Sequence, residues 1–258
     1  YIFIMIASVI VDFTVSNMIE KQTDNTRNKK LLLLSSVVFN LGMLFFFKYT
    51  GFFTHNLNTL FNTNFRILEL TLPLGISFYT FQTMSYTIDV YRGRVEAEKN
   101  IINFGAYVAL FPQLIAGPIV KYRQIRDELQ NPVLNVKKFE TGVKFFIAGL
   151  ASKVLIANNI GMMWDDISMI SNLTMITAWL GLIAFGLQIY FDFSGYSYMA
   201  IGLGHMLGFS FPENFNFPYL SKSMTEFWQR WHITLGSWFK EYVYIPLGGN
   251  RRGKLILV

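Results

Sequence analysis

The chain has 258 residues, of which 52% are hydrophobic, 17% aromatic and only 15% charged, with a mean hydropathy of +0.35. An ordinary soluble domain carries about 25% charged residues, so the composition points to a polytopic membrane protein rather than a water-soluble core. The net charge of +6 comes without a basic face or binding motif, which argues against nucleic acid as a partner, and the absence of cysteine rules out a disulfide framework and a Cys-ligated metal.

Residues 1–19 form a first apolar run broken only by Asp12 and small polar side chains, and residues 31–53 form a second. Each approaches the roughly 20 residues a helix needs to cross hydrocarbon. Between them lies the polar stretch "EKQTDNTRNKK". Residues 72–91, "LPLGISFYTFQTMSYTIDVY", are apolar and aromatic but hold Ser77, Gln82, Thr83, Ser85 and Asp89. Such groups are costly in lipid, so this helix is expected to face protein or a wet cavity, or to pack through its small residues. Residues 101–120 are interrupted by Pro112 and by Gly117-Pro118, and proline removes a helix donor. After the polar, basic stretch 121–138 come an apolar run at 139–160, an acidic loop around Asp165 and Asp166, and the run 174–209, which is too long for one simple crossing.

The stretches at 20–30, 92–99, 121–138 and 251–254 all carry Lys or Arg, whereas loops at 54–69 and 158–173 carry little. The positive-inside rule places the first set in the cytoplasm. Residues 101–120 then have a basic stretch on each side, which fits a segment that dips in and returns; the same count makes the segment around His232 re-entrant or interfacial. No repeat or linker divides the chain, so residues 1–258 read as one membrane domain. The chain starts inside an apolar run and ends at "RRGKLILV", and the expectation is that further residues belong at both ends.

One segment, "TEFWQRWHITLGSWFKEYVYIPLGGNRRGK", crowds Trp228, Trp231, Trp238, Arg230, Lys240, Glu241 and His232, one of three histidines, into a short length. Imidazole titrates near neutrality, so His232 can take a proton from a hydroxyl and return it. The same residues also suit an interfacial helix with an aromatic belt. Asp192, in "IYFDFSGYS", lies deep in an apolar run and must pair or protonate; function and helix–helix pairing explain it equally. His205 reads as a structural or interfacial side chain, and His55 as a solvated loop residue. "PLGGNRRGK" is a glycine turn with basic residues and lacks Walker spacing.

Taken together and in this order, "LGISFYTFQTMSYTIDVYRG", "FPQLIAGPIVKY", "YFDFSGYSYMAIGLG" and "ENFNFPYLSKSMTEFWQRWHITLGSWFKEYVYIPLGGNRRGK" resemble the membrane-bound O-acyltransferase (MBOAT) family. Within it they resemble the bacterial alginate O-acetyltransferase branch; peptidoglycan O-acetyltransferases and the teichoic acid D-alanylation protein are more loosely similar. The resemblance implies an all-α polytopic membrane protein, a helical bundle with re-entrant and broken helices around a funnel, in the bacterial inner membrane. It implies transfer of an acyl group from a thioester donor, acetyl-CoA or carrier-linked, to a hydroxyl of an envelope polysaccharide or an extracytoplasmic partner, with no bound cofactor and no metal. His232 matches the histidine of the family's "WHITL" motif. The family's second histidine is expected farther along, so the 258 residues alone are expected to be inactive. Asp192, Trp231, Arg230 and Lys240 are the candidate substrate-binding residues, the last two suited to an anionic donor. Tyr198 departs from the aspartate expected in that motif. The rival readings are a transporter-like module, for which inverted repeats are missing, and a non-catalytic scaffold.

Overall fold

The computed structural model describes residues 2–22, 25–68, 70–115 and 117–249. Its described elements are helical apart from one isolated antiparallel bridge. Four helical stretches are long and apolar enough to cross a membrane: Ile2–Lys21, Thr26–Phe61, Val136–Ser168 and Met175–Met206. The large apolar side chains along them are mostly exposed, as expected where lipid is the solvent. The residues cluster into two compact units, 1–115 with 121–123, and 116–120 with 124–258.

In the first unit, α1 (Ile2–Lys21), α2 (Thr26–Phe61) and α3 (Ile76–Tyr91) pack on one another. Their common core is polar. The Asp12 carboxylate, fully buried, accepts hydrogen bonds from the Ser36 hydroxyl, from Asn40 Nδ2 at 2.8 Å and from the Thr87 hydroxyl at 3.2 Å. Thr83 in turn donates to Asn40 Oδ1 at 3.2 Å. Two threonines of "FQTMSYTID" thus meet the one carboxylate of α1's apolar stretch and its neighbour Asn40. Helix α4 (Ile101–Ala109) begins at the Asn100 cap, whose side chain accepts from the Ile102 N–H. Glu98 anchors this corner, accepting from the Lys99 and Asn100 N–H groups, both at 2.9 Å, and from the Tyr122 hydroxyl.

The broken character expected of 101–120 is present: the helix is interrupted at Leu110, whose backbone is extended, one residue before the short helix α5 (Phe111–Leu114), and residues 117–121, which hold Gly117-Pro118, are not helical. Pro112 lies in the first turn of α5, where its missing N–H costs nothing. Gln113 Nε2 reaches back to the Tyr107 carbonyl at 2.6 Å and caps the end of α4.

Several loop boundaries need correction. Helix α2 runs through 54–61, so His55 is helical rather than in a loop. The basic stretch 121–138 contains α6 (Tyr122–Gln130) and the start of α7 (Val136–Ala151). Helix α7 continues through a π turn, Ser152–Ala157, into α8 (Asn158–Ser168), which takes in Asp165 and Asp166. The run at 174–209 is one unbroken helix, α9 (Met175–Met206), of 32 residues. It has no proline to interrupt it, and at about 1.5 Å per residue it outspans the roughly 30 Å hydrocarbon core as a single rod.

In the second unit α9 packs along α7, the π turn and α8. Helix α6 is tied to the far end of α9 by Glu128, which accepts from the Ser210 N–H and hydroxyl, both at 2.8 Å, and pairs with Lys138 at 3.0 Å. Burial works against the Glu128 carboxylate's charge, but these hydrogen bonds and the Lys138 ammonium outweigh it and hold its pKa below the ordinary value.

Candidate active site

The segment after α9 is built by local chemistry that the sequence spells out. Ser223 caps α10 (Met224–Arg230), accepting from the Glu226 N–H at 3.1 Å, while Glu226 Oε2 accepts from the Lys222 N–H at 2.8 Å. This is a variant of the capping box, in which Glu226 reaches the N–H one residue before the Ser223 cap. Glu226 also holds Arg230, with Nε at 3.0 Å and a second guanidinium nitrogen at 2.9 Å. Arg230 further donates to the Asn216 carbonyl at 3.2 Å.

A short antiparallel pairing follows. Phe215 bridges Trp231, the Asn216 N–H donates to the Arg230 carbonyl at 2.9 Å, and the Ile233 N–H donates to the Asn214 carbonyl at 2.9 Å. His232 falls between these bonds with φ 45° and ψ 52°, and α11 (Ile233–Phe239) starts from it. A left-handed conformation in a non-glycine residue costs about 1–3 kcal/mol and concentrates at functional sites. Here it aims the imidazole at α9 and the 214–215 strand. The ring packs edge-on against Phe193, with centroids 4.9 Å apart, and lies near-parallel to Phe215 at 6.5 Å.

The polar partner of the imidazole is Asn214, whose Oδ1 lies 3.0 Å from His232 Nδ1. The same oxygen accepts from the Thr234 N–H at 3.2 Å and the Thr234 hydroxyl at 2.8 Å. Thr234 Oγ1 itself accepts from the Ile119 N–H at 3.0 Å. The "GPIV" stretch and the "WHIT" stretch thus meet through one threonine. His232 lies outside the four long spans, and burial among these rings pushes its pKa down to about 4.

The structure separates the other candidate residues. Trp231 lies in an aromatic cluster, stacked on Phe227 at 5.7 Å and edge-on to Phe215 at 5.1 Å, and it props up the His232 turn rather than facing open space. Asp192 precedes the Phe193 that touches His232, but its carboxylate is engaged by the Lys153 ammonium from the π turn. No hydrogen bond or ion pair among the described residues joins Asp192 to His232. Arg230 is committed to Glu226 and Asn216. Lys240, in the π turn Lys240–Tyr244 that extends α11, instead lines an open groove of about 740 Å³ with Trp228, Gln229, Gly236, Ser237 and Tyr244. Residues 251–254 lie outside the described residues.

Asn214 and Thr234 are the residues around His232 that the sequence did not bring to notice. Asn214 is the second polar side chain of "ENFNFPY", in a string otherwise aromatic enough to bury it, and it is 1% exposed. That was the available signal; its pairing with a histidine eighteen positions away was not readable. Asn214 also lines a narrow crevice, too tight for a water molecule, with Ser194, Ser197, Tyr198 and Glu213. Tyr198, which stands where an aspartate was expected, therefore shares its surroundings with a carboxylate from the next segment.

With this geometry in view, comparison with known proteins is decisive. Residues 96–257, more than half of the chain, match the membrane-bound O-acyltransferase family. The chain belongs to the MBOAT family. Among curated relatives, a probable alginate O-acetylase AlgI of Pseudomonas syringae pv. tomato is 46% identical over 234 residues, covering 89% of this chain and 45% of the relative. Its counterpart in Pseudomonas aeruginosa is 47% identical over 230 residues, 88% of this chain and 44% of the relative. The peptidoglycan O-acetyltransferase of Helicobacter pylori is 37% identical over 285 residues, 100% of this chain and 54% of the relative. The chain thus spans about half the length of the curated relatives it matches. The MBOAT match covers α4 to α11 and so includes every residue of the His232 cluster.

Proposed function

We propose that this chain carries part of the active site of a multi-pass O-acyltransferase in a bacterial inner membrane, with His232 as the base. The observation that carries the reading is a half-buried imidazole, held on one nitrogen by Asn214 and fixed in a left-handed turn, within the stretch that matches an acyltransferase family. In the reaction His232 takes the proton of the acceptor hydroxyl as that oxygen attacks the thioester carbonyl. The C–S bond breaks, and the proton passes on to the departing thiolate sulfur. The names of the relatives, alginate O-acetylase and peptidoglycan O-acetyltransferase, support an envelope polysaccharide, or a protein that serves one, as the acceptor.

For the donor we assign the groove beside α10 and α11. Lys240 has no ion pair among the described residues and is available to an anion, whereas Arg230 is already neutralised by Glu226. An anionic thioester such as acetyl-CoA fits this groove, with Trp228, 58% exposed, as a stacking surface. Lys240→Gln should then raise the KM for acetyl-CoA several-fold, with the effect shrinking at high salt. The 258 residues span about half of the relatives' length, and we expect them alone to give no turnover of a thioester above a His232→Ala control. With no native cysteine, the chain also suits labelling from either face. Single cysteines in 20–30 and 121–138 should react from the cytoplasmic side.

The test is acyl transfer by the full-length protein in lipid nanodiscs. His232→Ala should lower the rate by about 10²-fold or more, and His232→Gln nearly as much, because glutamine keeps a hydrogen bond but cycles no proton. Normal folding with most activity retained in both variants would overturn the base assignment and leave an interfacial segment.

A further inference from the structure

The hydrogen bonds around Asn214 fix more than the position of the imidazole. A backbone N–H can only donate, so the Thr234 N–H, 3.2 Å away, identifies the atom facing it as the amide oxygen of Asn214 and not its nitrogen. The Thr234 hydroxyl agrees: it already accepts from the Ile119 N–H, which leaves its own hydrogen to donate to the same oxygen at 2.8 Å. A flipped amide would set Nδ2 against that N–H, donor to donor. The oxygen that lies 3.0 Å from His232 Nδ1 therefore accepts only, and Nδ1 has to carry the proton.

We infer that Asn214 is a positioning residue that locks neutral His232 as its Nδ1–H tautomer and leaves the Nε2 lone pair as the only proton acceptor on the ring. The lock is stiff because its two ends are tied down independently. The Ile233 N–H holds the Asn214 backbone at 2.9 Å, and the Thr234–Ile119 bond holds the hydroxyl that orients the amide. Phe193 packs edge-on against the ring and Phe215 lies near-parallel to it, and a 180° ring flip would set the Cδ2–H against the accepting oxygen and take Nδ1 away from its hydrogen-bond partner. The lock leaves one group unserved. Asn214 Nδ2 is buried and finds no acceptor among the described residues. A residue chosen only to fill space at 1% exposure would not present an unpaired amide donor, whose burial costs about 1–3 kcal/mol. The arrangement is explained if the oxygen of the same amide is what the site requires.

The groups packed on the imidazole are uncharged: two phenyl rings and an amide. The ionisable side chains nearest along the packed elements have other engagements, Asp192 with Lys153 and Arg230 with Glu226, while Glu213 and Tyr198 line the narrow crevice that Asn214 also lines. A positioning role through a neutral amide is thus what distinguishes this site from one driven by a carboxylate. The inference rests on His232 being the base, and the two fail separately.

The experiment is ¹⁵N NMR of the full-length protein, labelled at histidine, in lipid bilayers at neutral pH. This chain contributes His55, His205 and His232, and the His232 signals are those lost in His232→Gln. The expected result is a neutral ring protonated at Nδ1. In Asn214→Ala the ring should become an exchanging mixture of tautomers, and acyl transfer should fall by about 10²-fold. Asn214→Asp keeps an acceptor for all three donors, so it should keep the Nδ1–H tautomer and recover most of the lost rate above neutrality. Its acid limb should move to higher pH, since a carboxylate favours the imidazolium. Native His232 protonated at Nε2 would overturn the lock, and so would Asn214→Ala with an unchanged tautomer. Should Asn214→Ala misfold, the native spectrum and the Asp variant still decide. Full activity in His232→Gln would instead sink the base assignment, whatever the tautomer.

Discussion

Gly142 of α7 and Gly202 of α9 meet backbone to backbone: a Cβ built on either would lie 2.6 Å from the other's carbonyl oxygen. One heptad away on each helix, Gly149 and Gly195 repeat the relationship. Two glycine pairs at heptad spacing on antiparallel helices make a seam along which the backbones touch, the arrangement by which helices associate where no hydrophobic effect separates protein from lipid. The seam fixes the rotation of α9, and with it the side on which Phe193 meets His232.

Filling that seam should therefore be costly. Gly202→Ala should lower the thermal midpoint in detergent, and Gly202→Leu should lower it further. Overpacking of a tight contact typically costs about 1–3 kcal/mol, and here the neighbour is backbone that cannot rotate away. The same pair of changes at Gly186, whose nearest neighbour is the end of the Tyr219 side chain at 3.7 Å, should be milder. Equal midpoints for the Gly186 and Gly202 variants would show that the seam is not the tight contact.

Lys153, in the π turn that continues α7, and Asp192, on α9, pair just beyond the Gly149–Gly195 contact. The expected role of Asp192 is to pair with Lys153 and not to hold substrate. Asp192→Asn and Lys153→Met should each reduce stability, while the double variant should lose less than the sum. The coupling should be about 0.5–1 kcal/mol, the range for a partly exposed pair. Donor and acceptor KM values should stay near those of the wild type. A rise in acceptor KM confined to the Asp192 variant, without coupling to Lys153, would return Asp192 to the substrate site.

Asp12 offers a separate test in the first unit. Its carboxylate is the acceptor for the Ser36, Asn40 and Thr87 side chains. Asp12→Ala would strand buried donors on two neighbouring helices and should destabilise that unit by about 2–5 kcal/mol. Asp12→Asn should cost less, because Asn retains one oxygen for the two hydroxyls. Proteolysis of the α1–α3 region in detergent reads this directly, and unchanged protection in Asp12→Ala would refute the assignment.

What the sequence revealed and what it hid divide along a physical line. Length and apolarity located the spanning helices, since about 20 apolar residues leave few alternatives. The polar side chains of "FQTMSYTID" signalled a face turned to protein or a wet cavity, and two of them, Thr83 and Thr87, meet Asn40 and Asp12. Loop boundaries were missed because a helix need not end where its apolar run ends, as α2 continues through His55 and α8 through Asp165 and Asp166. His232 stood out because imidazole is rare here; Asn214 did not, because an amide signals nothing until its partners are known. Arg230 and Asp192 drew notice by their charge, yet both are spoken for by Glu226 and Lys153. Charge in an apolar chain marks where pairing occurs, and only geometry shows whether the partner is substrate or protein.

The pH dependence of His232 follows from its burial. Its pKa is pushed down to about 4, against about 6.5 for a free imidazole. The base is therefore neutral and competent across the whole neutral range, and the acid limb of kcat/KM for acyl transfer should lie near pH 4 to 5, well below 6.5. The same shift acts on stability. Above about pH 6.5 the histidine is neutral in both folded and unfolded chains and has no effect. Between about 6.5 and 4 the unfolded chain binds the proton that the folded site refuses, so stability falls as pH falls through that window. Below the folded value both states are protonated, and the loss levels off. His232→Gln removes the titrating group, so the thermal midpoint of that variant should fall less steeply between pH 6.5 and 4 than that of the wild type. The two measurements should agree. An acid limb near 6.5, together with identical pH slopes for the wild type and His232→Gln, would mean that water reaches the imidazole and that the rings of Phe193 and Phe215 do not seal it.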